Sequence, residues 1–162
     1  MIQEQLAFLP ESLPDYRPFP PAKERTAWQG LPLRAKQRFL QAGEAALQTP
    51  IASLPLSLWL DFTHTGRRMP WETAYFSRRA RLCALVSAEC VEHEGRFLDE
   101  IADTVWALCE ESAWQLPAHN SYIRDTPQLP LPDTTRPIVD LFAAETGALL
   151  ALARCDPEQH FI

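Results

Sequence analysis

Two clusters of proline limit where helices can form in this chain more than any other feature of its sequence. Its 15 prolines, against 5 glycines, gather mainly in residues 10–21 and residues 117–137. Proline fixes φ, lacks a backbone N–H and disfavours helix in the residue before it. The sequence therefore predicts an extended Pro-rich N-terminal arm over residues 1–32, and helices between and after the two clusters.

Apolar side chains recur at helical spacing outside these clusters, and no useful stretch alternates apolar and polar residues as a strand would. The pattern predicts an all-α domain over residues 33–162. In the last helix, Leu141, Phe142, Leu149 and Leu152 are expected to point inward. The predicted helices cover residues 33–48, 55–62, 71–92, 97–110 and 137–154.

Composition excludes several classes of partner. A formal charge of −6 argues against a nucleic-acid surface. The only local basic run, Arg78, Arg79 and Arg81, is expected to be solvated or paired with carboxylates. Neither a signal peptide nor a membrane span is visible. We therefore expect no nucleic-acid or membrane partner, and a cytoplasmic location, or a periplasmic one if a leader has been removed.

The four cysteines, Cys83, Cys90, Cys109 and Cys155, lie within or at the ends of predicted helices and have no CxxC spacing. That spacing is typical of metal knuckles and redox motifs. We predict that the cysteines are small buried residues with free thiols. Neither a metal nor another cofactor is expected.

The densest group of reactive side chains falls in residues 106–122, at a helix end and in the loop after it. Its candidates are Trp106, Glu110, Glu111, Trp114, His119, Asn120 and Tyr122. Removing a proton beside a uronic carboxylate needs a base such as histidine or tyrosine, and donors that stabilise the enolate-like charge. Indole faces can stack on a sugar ring. Structural alternatives remain: the glutamates as arginine partners, the tryptophans as core, and His119 as a loop hydrogen-bonding group.

A second candidate is the polar turn at residues 61–68. His64, with Arg67 and Arg68, could contact an anionic sugar, whereas Asp61, Thr63 and Gly66 suit a purely structural turn. The structural alternative is the favoured one.

Three strings together resemble the N-terminal helical region of bacterial heparinase II/III-like proteins: LWLDFTHTGRR, CEESAWQLPAHN and PIVDLFAAET. The similarity covers residues 55–153, with a weaker match in the Pro-rich arm. It implies antiparallel helix pairs forming part of an (α/α) toroid, normally followed by a β-sandwich. It also implies eliminative cleavage of an acidic polysaccharide or oligosaccharide.

Lyases of this class use an asparagine or histidine to neutralise the uronic carboxylate and tyrosine or histidine as base and acid. The resemblance carries these roles to His119, Asn120 and Tyr122. The remaining toroid helices and the β-sandwich are absent from the 162 residues, so the chain alone is expected to be inactive. One alternative is a non-catalytic helical module that binds glycans or a protein. A hydrolase using Glu110 and Glu111 is disfavoured, because adjacent helical residues point about 100° apart.

Overall fold

A computed structural model describes residues 18–120, 129–133 and 139–153. Over these ranges the chain is helical and contains no strand, which confirms the all-α class for the described residues. A 3₁₀ turn, Pro117–His119, lies between the fifth and sixth helices. The helices are α1 (Arg25–Gln29), α2 (Leu33–Leu47), α3 (Leu56–Thr65), α4 (Met69–Glu92), α5 (Leu98–Cys109) and α6 (Leu141–Leu152).

The helix ends follow from local chemistry. Pro32 and Pro55 stand just before α2 and α3, where a missing N–H costs no helical hydrogen bond. Gly66 ends α3 in the left-handed region, with φ of 75°, a conformation that glycine adopts without strain. Asp140 caps α6 by accepting the backbone N–H of Phe142 at 2.9 Å. Helix α6 therefore begins later than the proline pattern predicted.

The main core lies where α2 and α5 pack on the long helix α4. Gly43 of α2 allows a close approach, since a Cβ built there would lie 2.4 Å from Cβ of Ala88. Phe97, just before α5, is fully buried beside this contact. The buried members of the core are Ala46, Leu82, Leu85, Ala88, Phe97, Ile101, Leu108 and Ala153.

A second, aromatic core joins α3, α4 and the segment before the 3₁₀ turn. Trp59 meets Trp71 edge to face, with ring centroids 5.1 Å apart. Tyr75 and Leu116 complete the buried set, and Phe142 of α6 packs against it. Such edge-to-face pairs add to the stabilisation from buried area. This cluster therefore ties α6 and the 3₁₀ turn to the helices that precede them.

Buried polar groups also hold α6 in place. Tyr75 donates its hydroxyl to the carbonyl of Trp114 at 2.6 Å and lies 3.0 Å from Oγ1 of Thr146. Arg79 donates from Nε to the same threonine oxygen at 3.1 Å. Burial raises the pKa of Tyr75, so its hydroxyl stays protonated and can donate.

Several expectations are wrong in detail. Leu141 and Leu152, predicted to point inward, are 69% and 53% exposed, because no described residue covers that side of α6. Cys90 is buried as predicted, but Cys83 and Cys109 are exposed, because they lie on helix faces that no described element covers. All three are free thiols. Cys155 lies outside the described residues.

The predicted extended arm is interrupted by α1, which falls inside residues 1–32. Residues 1–17 lie outside the described part of the chain. Arg25 of α1 donates to the carbonyls of Cys90 and Val91 at 2.7 and 2.8 Å, so this helix is attached to the end of α4. The toroid itself stays a prediction.

None of the helices in the described residues is long and apolar enough to cross a membrane.

Candidate functional site

His119 and Asp140 form a hydrogen-bonded pair between the 3₁₀ turn and the first residues of α6. His119 Nδ1 lies 2.6 Å from Asp140 Oδ2, and the imidazole ring packs 5.3 Å from the Phe142 ring. Because an ionised carboxylate can only accept, Nδ1 carries the hydrogen of this bond. The His119 side chain is 34% exposed. The pair thus fixes the orientation of a partly exposed imidazole between the 3₁₀ turn and α6.

Asn120 is buried, and its amide is fully used by the loop that follows. Nδ2 donates to the carbonyls of Leu129 and Leu131, both at 2.8 Å. Oδ1 accepts from Nε2 of Gln115 at 3.0 Å and from the backbone N–H of Asp133 at 2.9 Å. Two donors and two acceptor positions are the whole capacity of an amide. The predicted catalytic role of Asn120 stays a prediction that these hydrogen bonds do not favour.

Glu111 is the centre of a buried ion-pair network. Arg79 binds it in a bidentate manner, with N···O distances of 2.9 and 2.6 Å, and Arg78 adds a contact of 3.1 Å. The Arg79 guanidinium also lies 3.3 Å from the centroid of the Tyr75 ring. Both carboxylate oxygens are therefore occupied. The structural alternative, an arginine partner, is confirmed for Glu111, and its substrate-binding role stays a prediction.

A cleft of about 580 Å³ opens between α3, α4, the end of α5 and residues 131–132. Its walls are largely apolar. Glu110, one of the predicted substrate-binding residues, is exposed and lines it. The polar lining residues are Arg78, Glu110, Glu111 and Ser112, and the larger apolar ones are Leu54, Leu56, Trp59, Trp71 and Leu131.

The two tryptophans of the predicted segment differ in their surroundings. Trp106 is 67% exposed on α5, so the core alternative is wrong for it, because no described residue packs over that side of the helix. Trp114 is partly buried and donates Nε1–H to the carbonyl of Leu108 at 2.8 Å. Neither lines the cleft. Their role as sugar-stacking surfaces stays a prediction.

The turn after α3 is held by its own charges. Arg67 donates from Nε and Nη2 to Oδ2 of Asp61 at 3.0 and 2.8 Å. Hydrogen bonds from Arg67 and Thr65 lower the pKa of Asp61. His64 is exposed, and neither it nor Arg67 lines the cleft. Gly66 has the positive φ expected of the structural turn, and the binding roles of His64 and Arg67 stay predictions.

Reasoning from sequence missed three residues that shape the His119–Asp140 pair and the cleft: Asp140, Arg78 and Trp71. Asp140 lies 21 residues from His119, and Arg78 was expected only to be solvated or paired. Trp71 was assigned to an apolar helix row, and its polar N–H was not considered. An aspartate directly before an apolar helical run, as Asp140 is before Leu141, is a sequence signal for a helix cap. No such signal indicated that Asp140 contacts His119.

Tyr122 lies outside the described residues, so its place relative to His119 is not part of the site geometry. Across residues 18–120, 129–133 and 139–153, no group of three or more histidine, cysteine, aspartate or glutamate side chains could hold a metal ion.

Comparison with protein-family models gives no match for this chain, and comparison with the curated proteins gives none either. The resemblance to heparinase II/III-like proteins therefore stays a prediction.

Proposed function

We propose that this chain is the N-terminal helical part of a heparinase II/III-like polysaccharide lyase. The enzyme would cleave uronic-acid-containing glycans by β-elimination, and this part alone would be inactive. The proposal joins the resemblance of the sequence to the arrangement of one histidine. It takes the remaining toroid helices and the β-sandwich as the partners that complete the active site.

The pair of His119 and Asp140 is the observation that carries the proposal. Elimination begins with removal of the proton beside the uronic carboxylate, which requires a neutral base with a fixed orientation. Asp140 holds the ring through Nδ1 at 2.6 Å, so Nε2 is the nitrogen available to take a proton. The side chain is partly exposed, so a substrate can approach the ring.

The outer side of α6 supports the toroid part of the proposal. Val139, Leu141 and Leu152 are 82%, 69% and 53% exposed. Large apolar side chains exposed along one side of a helix are typical of a face that packs against a further element. We propose that the next helix pair of the ring covers it.

A second candidate function is a non-catalytic helical module that binds glycans. The observation that favours it is the saturation of Asn120 and Glu111 by structural hydrogen bonds. The Asn120 amide has no free donor left to neutralise a substrate carboxylate, and the Glu111 oxygens are occupied by arginines. On this alternative, the protein binds uronic-acid chains and releases no unsaturated product.

The experiment uses the full reading frame that encodes this chain. The purified product is incubated with uronic-acid polymers, and the unsaturated uronide is followed by its ultraviolet absorbance. We expect His119→Ala to lower kcat by about 10²–10⁴-fold, the contribution of a positioned base. Asp140→Asn should lower kcat less and change the pH profile, because the ring loses its orienting acceptor.

His93→Asn is the matched control, since His93 is exposed at the left-handed end of α4, where asparagine is tolerated. It should cleave at the rate of the unsubstituted protein. Full activity of His119→Ala would refute the assignment of the base. Binding without cleavage by the unsubstituted protein would favour the glycan-binding alternative.

A further inference from the structure

We propose that the cleft lined by Trp71, Arg78 and Glu110 binds one neutral pyranose unit of the glycan, as a subsite separate from the uronate that reacts near His119. The inference rests on the proposed function for the identity of the glycan. The cleft itself is defined by contacts that do not involve His119 or Asp140.

The size and walls of the cleft suit a sugar ring. Its volume of about 580 Å³ lies within the roughly 300–1,000 Å³ that is usual for small-molecule sites. Leu54, Leu56, Trp59 and Leu131 line it with apolar surface. The C–H face of a pyranose can pack on such walls, because leucine and indole surfaces exclude water from it.

Trp71 supplies the first polar group. It is 8% exposed and lines the cleft, and its Nε1 is buried with no hydrogen-bond partner in the described part of the chain. Buried side-chain donors are nearly always paired in native proteins, so we infer that this N–H has an acceptor when the cleft is occupied. Because this atom is sealed from solvent, the indole must turn slightly before a ligand hydroxyl or ring oxygen in the cleft can provide one.

Arg78 supplies a second donor. Its Nε donates to the carbonyl of Ala52 at 2.7 Å, and Nη1 contacts the carbonyl of Ala107 and Oε1 of Glu111. These bonds hold the guanidinium in place. Among the described residues Nη2 has no hydrogen bond, so a ligand oxygen can meet a donor that is already oriented.

Charge distinguishes a neutral ring from a uronate. Glu111 is neutralised by Arg78 and Arg79, with N···O distances of 3.1 and 2.6 Å. These three groups carry one positive charge in excess, and Glu110, which forms no ion pair with any described residue, balances it, so the four side chains carry no net charge. The cleft therefore has no surplus positive charge to offset the cost of removing a uronate from water, whereas Glu110 accepts hydrogen bonds from the hydroxyls of a neutral sugar.

An apolar side chain of a protein partner fits this cleft less well than a sugar does. It would cover Trp71 Nε1, Arg78 Nη2 and Glu110 without pairing them, and burial of unpaired polar groups is unfavourable. A hydroxylated ring carries both donors and acceptors, which are the groups that these side chains require. The donor and acceptor set therefore favours the sugar over a protein segment.

The test follows the Trp71 indole N–H by NMR, with its signal assigned by its loss in Trp71→Phe. The full-length protein is titrated with cellobiose, maltose and lactose, and with cellobiouronic acid as the charged counterpart of cellobiose. We expect at least one neutral disaccharide to shift the signal and to slow its hydrogen exchange. The uronic acid should bind at least tenfold more weakly than that disaccharide's neutral form.

Two variants and a control separate binding from folding. Trp71→Phe keeps an aromatic ring and should weaken binding of the neutral disaccharide about tenfold, the effect of one lost hydrogen bond. Glu110→Gln, at an exposed position, should remove the discrimination against the uronic acid. Trp28→Phe is the matched control, because its N–H is already paired with the carbonyl of Pro21 at 3.1 Å, and it should bind as the unsubstituted protein does.

Absence of any shift with all three neutral disaccharides would overturn the proposal. The proposal would also be overturned if Trp71→Phe bound the disaccharide as tightly as the unsubstituted protein. A Trp71 signal that moves with protein concentration and not with sugar would mean that a second copy of the chain occupies the cleft, and would overturn it too. The lyase assay is read separately. If His119→Ala kept full lyase activity while neutral sugars still shifted the Trp71 signal, the assignment of the base would be wrong and the sugar site would remain supported.

Discussion

The contact between α2 and α4 at Gly43 gives the sharpest prediction. A methyl group at this position would lie 2.4 Å from Cβ of Ala88 and 3.0 Å from Cε1 of Phe97. Ordinary carbon contacts are about 3.5–4.0 Å, so the two atoms must separate by more than about 1 Å. Cβ of Ala88 is fixed to its helix, and therefore the helices themselves must move apart.

The expected cost of Gly43→Ala follows from two opposing effects. Overpacking a core typically costs about 1–3 kcal/mol, and a contact with a fixed Cβ belongs at the upper end of that range. Replacing glycine by alanine inside a helix returns about 1 kcal/mol. The free energy of unfolding should fall by about 1–2 kcal/mol, which lowers Tm by about 2–8 °C for a chain of this length.

Gly147→Ala is the control, because it makes the same change in the middle of α6, where a Cβ meets no described residue within 4 Å. Only the helix preference acts there, so stability should rise by up to about 1 kcal/mol. Urea unfolding followed by circular dichroism measures both variants, and equal m-values are required for the comparison. If Gly43→Ala proved as stable as Gly147→Ala, the close packing of α2 on α4 would be wrong.

Three further predictions concern the polar network, the loop and the thiols. Glu111→Gln should lower the free energy of unfolding by about 3–5 kcal/mol, because Arg78 and Arg79 lose the charge that compensates them; an unchanged urea midpoint would contradict this. Asn120→Ala should cost about 2–4 kcal/mol and speed hydrogen exchange at the Asp133 N–H, and unaltered exchange there would count against the loop contact. Burial raises the pKa of the Cys90 thiol to about 11, so about 0.1% is thiolate at pH 8. Mass spectrometry should find the exposed Cys109 alkylated well before Cys90, and the reverse order would refute the assignment of Cys90 to the core.

The helices could be predicted from the sequence because their signals are local. Apolar spacing gave α4 and α5 to within a few residues, and the helix predicted over residues 33–48 agrees with α2 to within one residue. The start of α6 was placed too early, because Pro137 was taken as its first turn. Asp140, three residues on, is the residue that caps the helix.

The candidate site was harder to predict because its contacts join distant parts of the chain. The segment holding His119 was identified by its residue types alone, but its pairing with Asp140 depends on how α6 packs. Glu111 and Asn120 were grouped with it as reactive groups, whereas three-dimensional packing gives both a full set of structural partners. Sequence shows which polar groups are present, but only the fold shows which of them are already satisfied.

The carboxylate of Asp140 caps helix α6 with one oxygen and orients the His119 ring with the other. Oδ1 accepts a hydrogen bond from the Phe142 N–H, and Oδ2 accepts one from Nδ1 of the His119 ring. A single side-chain rotamer therefore sets both where the last helix starts and which way the imidazole faces. The basic nitrogen acquires its direction only when that helix has nucleated, so a partly folded chain carries an ordinary surface histidine instead of an aligned one.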